Sequence, residues 1–179
     1  MALKPTIYKL NVSLSDMDRH VYGEFQSTIA QHPSENNERM MARVLAFCLN
    51  ADDRLSFTRG LSSVDEPELW LKSLDEQILQ WIEVGQPEPD RLKKAGTLAR
   101  DVKVYSFGKS ADTWWTLNKA ALSSIDNLQV YQFPWATMGA LTALINRSMN
   151  LTVTITENIL YIADENAHVE VPVKSCLLD

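Results

Sequence analysis

Two glutamates sit at matching edges of two apolar runs, Pro67-Glu68-Leu69-Trp70-Leu71 and Ile78-Leu79-Gln80-Trp81-Ile82-Glu83-Val84. If these runs are neighbouring strands turned back on each other, Glu68 and Glu83 meet at one end of a sheet. Two carboxylates so placed suit a hard divalent cation such as Mg²⁺, which takes oxygen ligands. A Mg²⁺ held there polarises a phosphodiester and activates water. Metal-dependent phosphodiester chemistry is therefore the sharp expectation for the pair. The competing reading leaves both as solvent-facing acids on half-buried strands, where strand glutamates usually stand.

The elements that must position these residues can be read from period and punctuation. Residues 6–15 alternate apolar and polar and predict a strand, with a partner over 21–31 in which Gly23 suggests a bulge. His32-Pro33-Ser34-Glu35 then opens a helix, with Ser34 as N-cap and Glu35 in the positive field of its first turn. Met40, Met41, Val44, Leu45, Phe47 and Cys48 spread around that helix, so it should be largely buried. A strand over 55–58, ended by Arg59-Gly60, precedes the two acidic strands.

Pro87 and Pro89 start the next helix, whose stripe of Leu92, Ala95 and Ala99 is small enough for close packing on a sheet. A strand over 102–107 follows, which makes a crossover unit. Further helices are expected over 111–125 and 135–147, and strands over 128–133, 151–155, 159–162 and 169–173. Pro172 demotes the last to an edge. The whole reads as α/β (α+β), one compact domain over 1–179, with a mixed sheet and flanking helices.

With 179 residues, 45% hydrophobic and 22% charged, the chain has an ordinary globular balance. No apolar run approaches the ~18 residues of a membrane span. Met1-Ala2-Leu3-Lys4-Pro5 lacks the pattern of a secretory leader, so a cytoplasmic protein with no membrane partner is expected. Two cysteines without a CxxC and three scattered histidines argue against zinc. A net charge of −6 argues against broad nucleic-acid affinity, yet Arg91, Lys93, Lys94, Arg100 and Lys103 form a local basic strip. The GxGxxG, GxxxxGK[ST] and GxSxG motifs are absent.

The order helix, strand, acidic strand, acidic strand, helix, strand over about 34–107 resembles the restriction-endonuclease-like core of the PD-(D/E)XK nuclease superfamily. By that resemblance Pro67-Glu68 stands for the Pro-Asp pair, Glu83 for the second acid, and Glu35 or Glu38 for a metal-binding glutamate of the first helix. Gly85 stands where the superfamily has its lysine, whose cation orients water and offsets transition-state charge. Lys93 or Lys94, on the next helix, is the expected substitute. These neighbours diverge by ~100° on a helix, so at most one should enter the site.

A smaller family is matched over nearly the whole chain. Ala2-Leu3-Lys4, Ile7-Tyr8-Lys9, His32-Pro33-Ser34-Glu35, Glu38-Arg39-Met40-Met41, Phe57-Thr58-Arg59-Gly60-Leu61, Asp65-Glu66-Pro67-Glu68, Trp81-Ile82-Glu83, Lys93-Lys94-Ala95 and Trp114-Trp115 resemble the bacterial YaeQ family. The resemblance implies a nuclease-like fold. It leaves two functions open: a Mg²⁺-dependent enzyme acting on nucleic-acid phosphodiesters, or a catalytically silent protein. The silent form would bind nucleic acid or a protein partner, in regulation of gene expression.

Other residues carry weaker expectations. Arg59 beside Gly60, and Arg91 in the basic cluster, are candidate phosphate contacts, although an ion pair with Asp65 or Glu66 accounts equally well for Arg59. His32 fits a turn residue bonded to nearby backbone better than a base. Trp114 and Trp115 fit packing better than base stacking.

Overall fold

Alternation along the first strand puts Leu10, Val12 and Leu14 on one buried face. In the computed structural model, which describes residues 4–59 and 64–176, this strand is β1 (Thr6–Asp16) and its hairpin partner is β2 (Val21–Gln31). Then come α1 (Asn37–Leu49), β3 (Leu55–Phe57), β4 (Leu69–Lys72) and β5 (Ile78–Val84). The chain continues with α2 (Pro89–Leu98), β6 (Ala99–Ser106), α3 (Ala111–Leu122), β7 (Leu128–Gln132) and α4 (Trp135–Leu141). It closes with β8 (Ser148–Thr156), β9 (Ile159–Ala163), β10 (His168–Pro172) and β11 (Lys174–Cys176).

The strands form two mixed sheets instead of the one expected. The first has order β10-β9-β8-β1-β2, with β1 parallel to β8. The second has order β11-β7-β6-β5-β4-β3. Within it β3, β4 and β5 run antiparallel, whereas β5, β6 and β7 are parallel. Period-2 patterning reports which face of a strand is buried but not which sheet it joins. Pro172 does lie on an edge strand, where its missing N–H costs no ladder bond.

Helix α1 lies between the sheets, which explains why apolar residues cover most of its circumference. Met40, Met41, Val44, Leu45 and Phe47 share one core with Leu10, Val12 and Ile29 of the first sheet and Leu69, Ile82 and Val84 of the second. A smaller outer core packs α2 and α3 on the far face of the second sheet, through Trp81, Leu92, Ala95, Val102, Val104 and Trp114. Strand β5 thus turns Ile82 and Val84 toward α1 and Trp81 toward α2.

Several boundaries differ from the sequence reading. The N-cap of α1 is Asn36, whose Oδ1 accepts the Arg39 N–H at 2.8 Å, not Ser34. Residues 32–35 form a turn instead, in which the Glu35 N–H reaches the His32 carbonyl and the Ser34 N–H reaches His32 Nδ1. The fourth helix stops at Leu141, followed by a 3-10 turn (Thr142–Leu144), because β8 begins at Ser148. Strand β11 has no counterpart in the sequence reading; three residues are too few to show a period. Gly60, placed at the end of β3, lies outside the described residues.

Candidate functional site

Glu83 lies on β5, and Glu68 lies in the bend immediately before the neighbouring β4. Leu69 pairs with Ile82, and the Glu68 N–H also donates to the Ile82 carbonyl at 3.0 Å. Glu68 is thus tied to β5 through its backbone one residue ahead of β4, while the register shift of this ladder falls between Leu71 and Lys72. The Glu68 carboxylate reaches Arg39 and Arg43 of α1, whereas that of Glu83 reaches Arg91 of α2. Adjacent acids are therefore held from helices on opposite sides of the sheet.

Burial makes this pairing necessary. Glu35, Glu68 and Glu83 are 6%, 5% and 3% exposed, and a buried carboxylate without partners is costly. Arg39 bridges two of them, donating Nη1 to Glu35 Oε2 at 2.5 Å and Nη2 to Glu68 Oε1. Arg43 holds Glu35 through Nε, at 3.0 Å, and through Nη2, which also meets the Ala30 carbonyl at 2.9 Å. Burial works to lower the Arg39 value, but the fields of Glu68 and Glu35 and their hydrogen bonds more than reverse it, so this guanidinium sits above its ordinary pKa.

On the other side, Glu83 Oε1 accepts from Arg91 Nε at 2.7 Å and from Trp81 Nε1 at 2.9 Å. Burial still pushes the Glu83 carboxyl above its ordinary range; Arg91 and Trp81 oppose this, and the nearby charge of Glu68 adds to it. Arg91 also straps the preceding loop, donating Nη1 to the Val64 carbonyl (2.5 Å) and Nη2 to that of Glu66 (2.6 Å).

The expected cation is not a lysine. Lys93 and Lys94 are both exposed and neither pairs with Glu68 or Glu83, because the buried stripe of α2 is Leu92 and Ala95. Arg91, one residue before that stripe, takes the position next to Glu83. Gly85 shows why the strand itself carries no lysine. Its φ is +94°, a region L side chains rarely adopt, and its N–H donates to the Tyr105 carbonyl at 2.9 Å. Nothing lies within 4 Å of where a Cβ would stand, so torsion and not space disfavours a side chain there.

The remaining candidates separate. Glu38 is half-buried on α1 and takes no part in the arginine–glutamate network. Arg59 pairs with Glu66 (Nη2 to Oε1, 3.5 Å). His32 Nδ1 faces Ser34 Oγ at 2.6 Å, as a turn histidine would. Trp114 is buried and donates to the Pro87 carbonyl at 3.1 Å, while Trp115 packs on the outer core. Arg39 and Arg43 were missed in the sequence, although Glu35, Arg39 and Arg43 recur at intervals of four, the spacing of charge pairs along a helix face.

The donor set does not fit Mg²⁺. That ion needs near-octahedral oxygen ligation, with one or two carboxylates and several waters. Here three carboxylates face three guanidiniums, which remain charged at any working pH. Among the described residues, no three His, Cys, Asp or Glu side chains converge as a metal site. One buried oxygen, Glu68 Oε2, lacks a hydrogen-bond partner; the Arg43 Nε stands 4.0 Å away. Among the described residues, no helix is long and apolar enough to cross a membrane.

Comparison with known proteins gives a consistent set of relatives. A family model described as "YaeQ protein" matches residues 1–173. The protein from Escherichia coli (strain K12) named "Uncharacterized protein YaeQ" is 40% identical over 172 residues, covering 96% of this chain and 95% of its own. Its namesake from Salmonella typhi is likewise 40% identical. Among solved structures, the YaeQ protein from Xanthomonas axonopodis pv. citri superposes with a TM-score of 0.94 at 38% identity, covering 98% of this chain and 99% of its own. The YaeQ protein from Pseudomonas syringae gives 0.92 at 35% identity, with coverage of 98% and 97%.

Proposed function

The chain belongs to the YaeQ family, and on that premise we propose that it is a catalytically silent, nuclease-like protein that acts by binding nucleic acid. The element order α1-β3-β4-β5-α2-β6 supports a PD-(D/E)XK-type frame. The observation that carries silence is the arginine bound to each acid: Arg39 and Arg43 on Glu35 and Glu68, Arg91 on Glu83. A divalent cation entering this centre would meet three positive charges. Exposed Lys93, Lys94 and Arg100 leave a short basic strip where α2 meets β6, suited to phosphate contacts.

A Mg²⁺-dependent nuclease is the second reading. The unpartnered Glu68 Oε2 favours it, since an orphaned buried carboxylate oxygen is an acceptor with capacity left over. Incubating purified protein with labelled DNA and RNA, with and without Mg²⁺, separates the two. We expect salt-sensitive binding, weakened by Lys93→Ala with Lys94→Ala, and no cleavage. Mg²⁺-dependent cleavage by the wild type that disappears in Glu83→Ala would establish the nuclease. Neither binding nor cleavage at low salt would leave a protein partner as the ligand.

A further inference from the structure

A cavity of about 150 Å³ opens between the two sheets where β1 ends, lined in part by Arg19, Lys103, Tyr105, Leu49 and Val173. It is separate from the arginine–glutamate centre. On β6, Val102 and Val104 belong to the outer core and Tyr105 to the core between the sheets. Lys103 alternates with the valines and so shares the inward face of Tyr105.

Asn50, the C-cap of α1 and 3% exposed, holds both side chains in place. Its Nδ2 donates to the Ala46 carbonyl at 2.9 Å and to Tyr105 Oη at 2.8 Å, and its Oδ1 accepts from Lys103 Nζ at 2.7 Å. The lysine is thus held by a neutral group, with ammonium protons to spare. The Tyr105 hydroxyl, used here as an acceptor, keeps its own proton to donate.

The acids around this cavity are already engaged. Asp16 Oδ2 accepts from Arg19 Nε at 2.7 Å, and its Oδ1 accepts the N–H groups of Asp18 and Arg19. Asp18 accepts the N–H groups of Glu157 and Asn158. Among the described residues no carboxylate lies within ion-pair distance of Lys103 Nζ. A half-buried ammonium beside a guanidinium, with no counter-charge of its own, is an unbalanced arrangement.

We propose that this cavity binds a small oxyanion, a phosphate group or a carboxylate, on Lys103 Nζ and the Arg19 guanidinium, with Tyr105 Oη as a third donor. The volume is below the roughly 300–1,000 Å³ of pockets for drug-sized ligands, so the anionic group itself is the main occupant. Burial, and then the charge of Arg19, holds the Lys103 ammonium below its ordinary pKa, with Asp101 opposing in part. The field of a bound anion would oppose both effects.

The test is calorimetric titration with inorganic phosphate and, separately, with acetate, at ionic strength fixed by chloride. Saturable one-site binding of at least one anion is expected. It should weaken about tenfold or more in Lys103→Met and in Arg19→Gln, since hydrogen bonds to charged groups are worth at least that factor. Preference for phosphate assigns a phosphoryl ligand, and preference for acetate a carboxylate. Asp16 keeps the backbone N–H groups of Asp18 and residue 19 when the 35%-exposed Arg19 side chain is replaced, so Arg19→Gln carries the comparison if Lys103→Met fails to fold. No saturable binding to the wild type, or binding undiminished in both variants, overturns the proposal.

Discussion

Arg91 Nε lies 2.7 Å from Glu83 Oε1, so the cation beside the end of β5 is delivered by α2 and not by the strand itself. The side chain of Glu83 is 4% exposed and that of Arg91 is 29% exposed. The carboxylate therefore depends on a partner that is itself partly solvated.

Removing that partner should be costly. Arg91→Met leaves Glu83 buried without its cation and is expected to destabilise the fold by about 3 kcal/mol, the lower end for breaking a buried pair. Glu83→Gln combined with Arg91→Met should cost less than the sum of the two single changes. Urea unfolding of the four proteins in a double-mutant cycle measures the coupling. Strict additivity would mean the pair contributes nothing jointly.

The raised pKa of Glu83 has a definite sign. A carboxyl raised in the folded state favours folding fully below its unfolded pKa, near roughly 4.3, and loses that contribution as pH rises through its folded value. The stability of the wild type relative to Glu83→Gln should therefore fall as pH increases from about 4.3 upward. Chemical denaturation across the acidic range tests this. A difference that grows with pH would show that Arg91 and Trp81 outweigh burial.

Mg²⁺ should not bind the centre while its arginines are in place. Millimolar Mg²⁺ is expected to leave the wild-type melting temperature unchanged. Arg39→Met releases Glu68 Oε1 and removes one of the two arginines on Glu35, so any latent metal affinity should appear as Mg²⁺-dependent stabilisation of that variant. Stabilisation of the wild type to the same extent would count against a silent centre.

Lys93→Ala and Lys94→Ala are expected to change stability by no more than about 0.5 kcal/mol each, as surface substitutions do. In contrast, Leu45→Ala, in the core between the sheets, should cost about 2–5 kcal/mol. Thermal or urea unfolding gives both numbers from one set of samples.

Burial should also silence the thiols. Cys48 is fully buried, and that burial pushes its thiol up to about 12. The Cys176 thiol is raised as well. Native protein is expected to react far more slowly with a thiol-specific reagent near neutral pH than the unfolded chain, because the thiolate is the reactive species. Rapid native labelling at Cys48 would contradict the packing of α1.

Local pattern was enough to place most elements in this chain. The hairpin of β1 and β2, the buried α1, the two acidic strands and the α2 crossover all follow from period and from residues such as Pro89 and Pro172. Glu68 and Glu83 were legible as neighbours because both sit at strand edges separated by one turn. What the sequence could not fix was long-range: that β1 joins β8 in a sheet separate from that of β4 and β5, and that Arg39, Arg43 and Arg91 close onto the acids. Residue spacing constrains side chains only along one element, as in the interval of four between Arg39 and Arg43 on α1. The backbone tie of Glu68 to Ile82 and the positive φ of Gly85 are set by how strands meet, so which helix neutralises each carboxylate was decided by the tertiary structure alone.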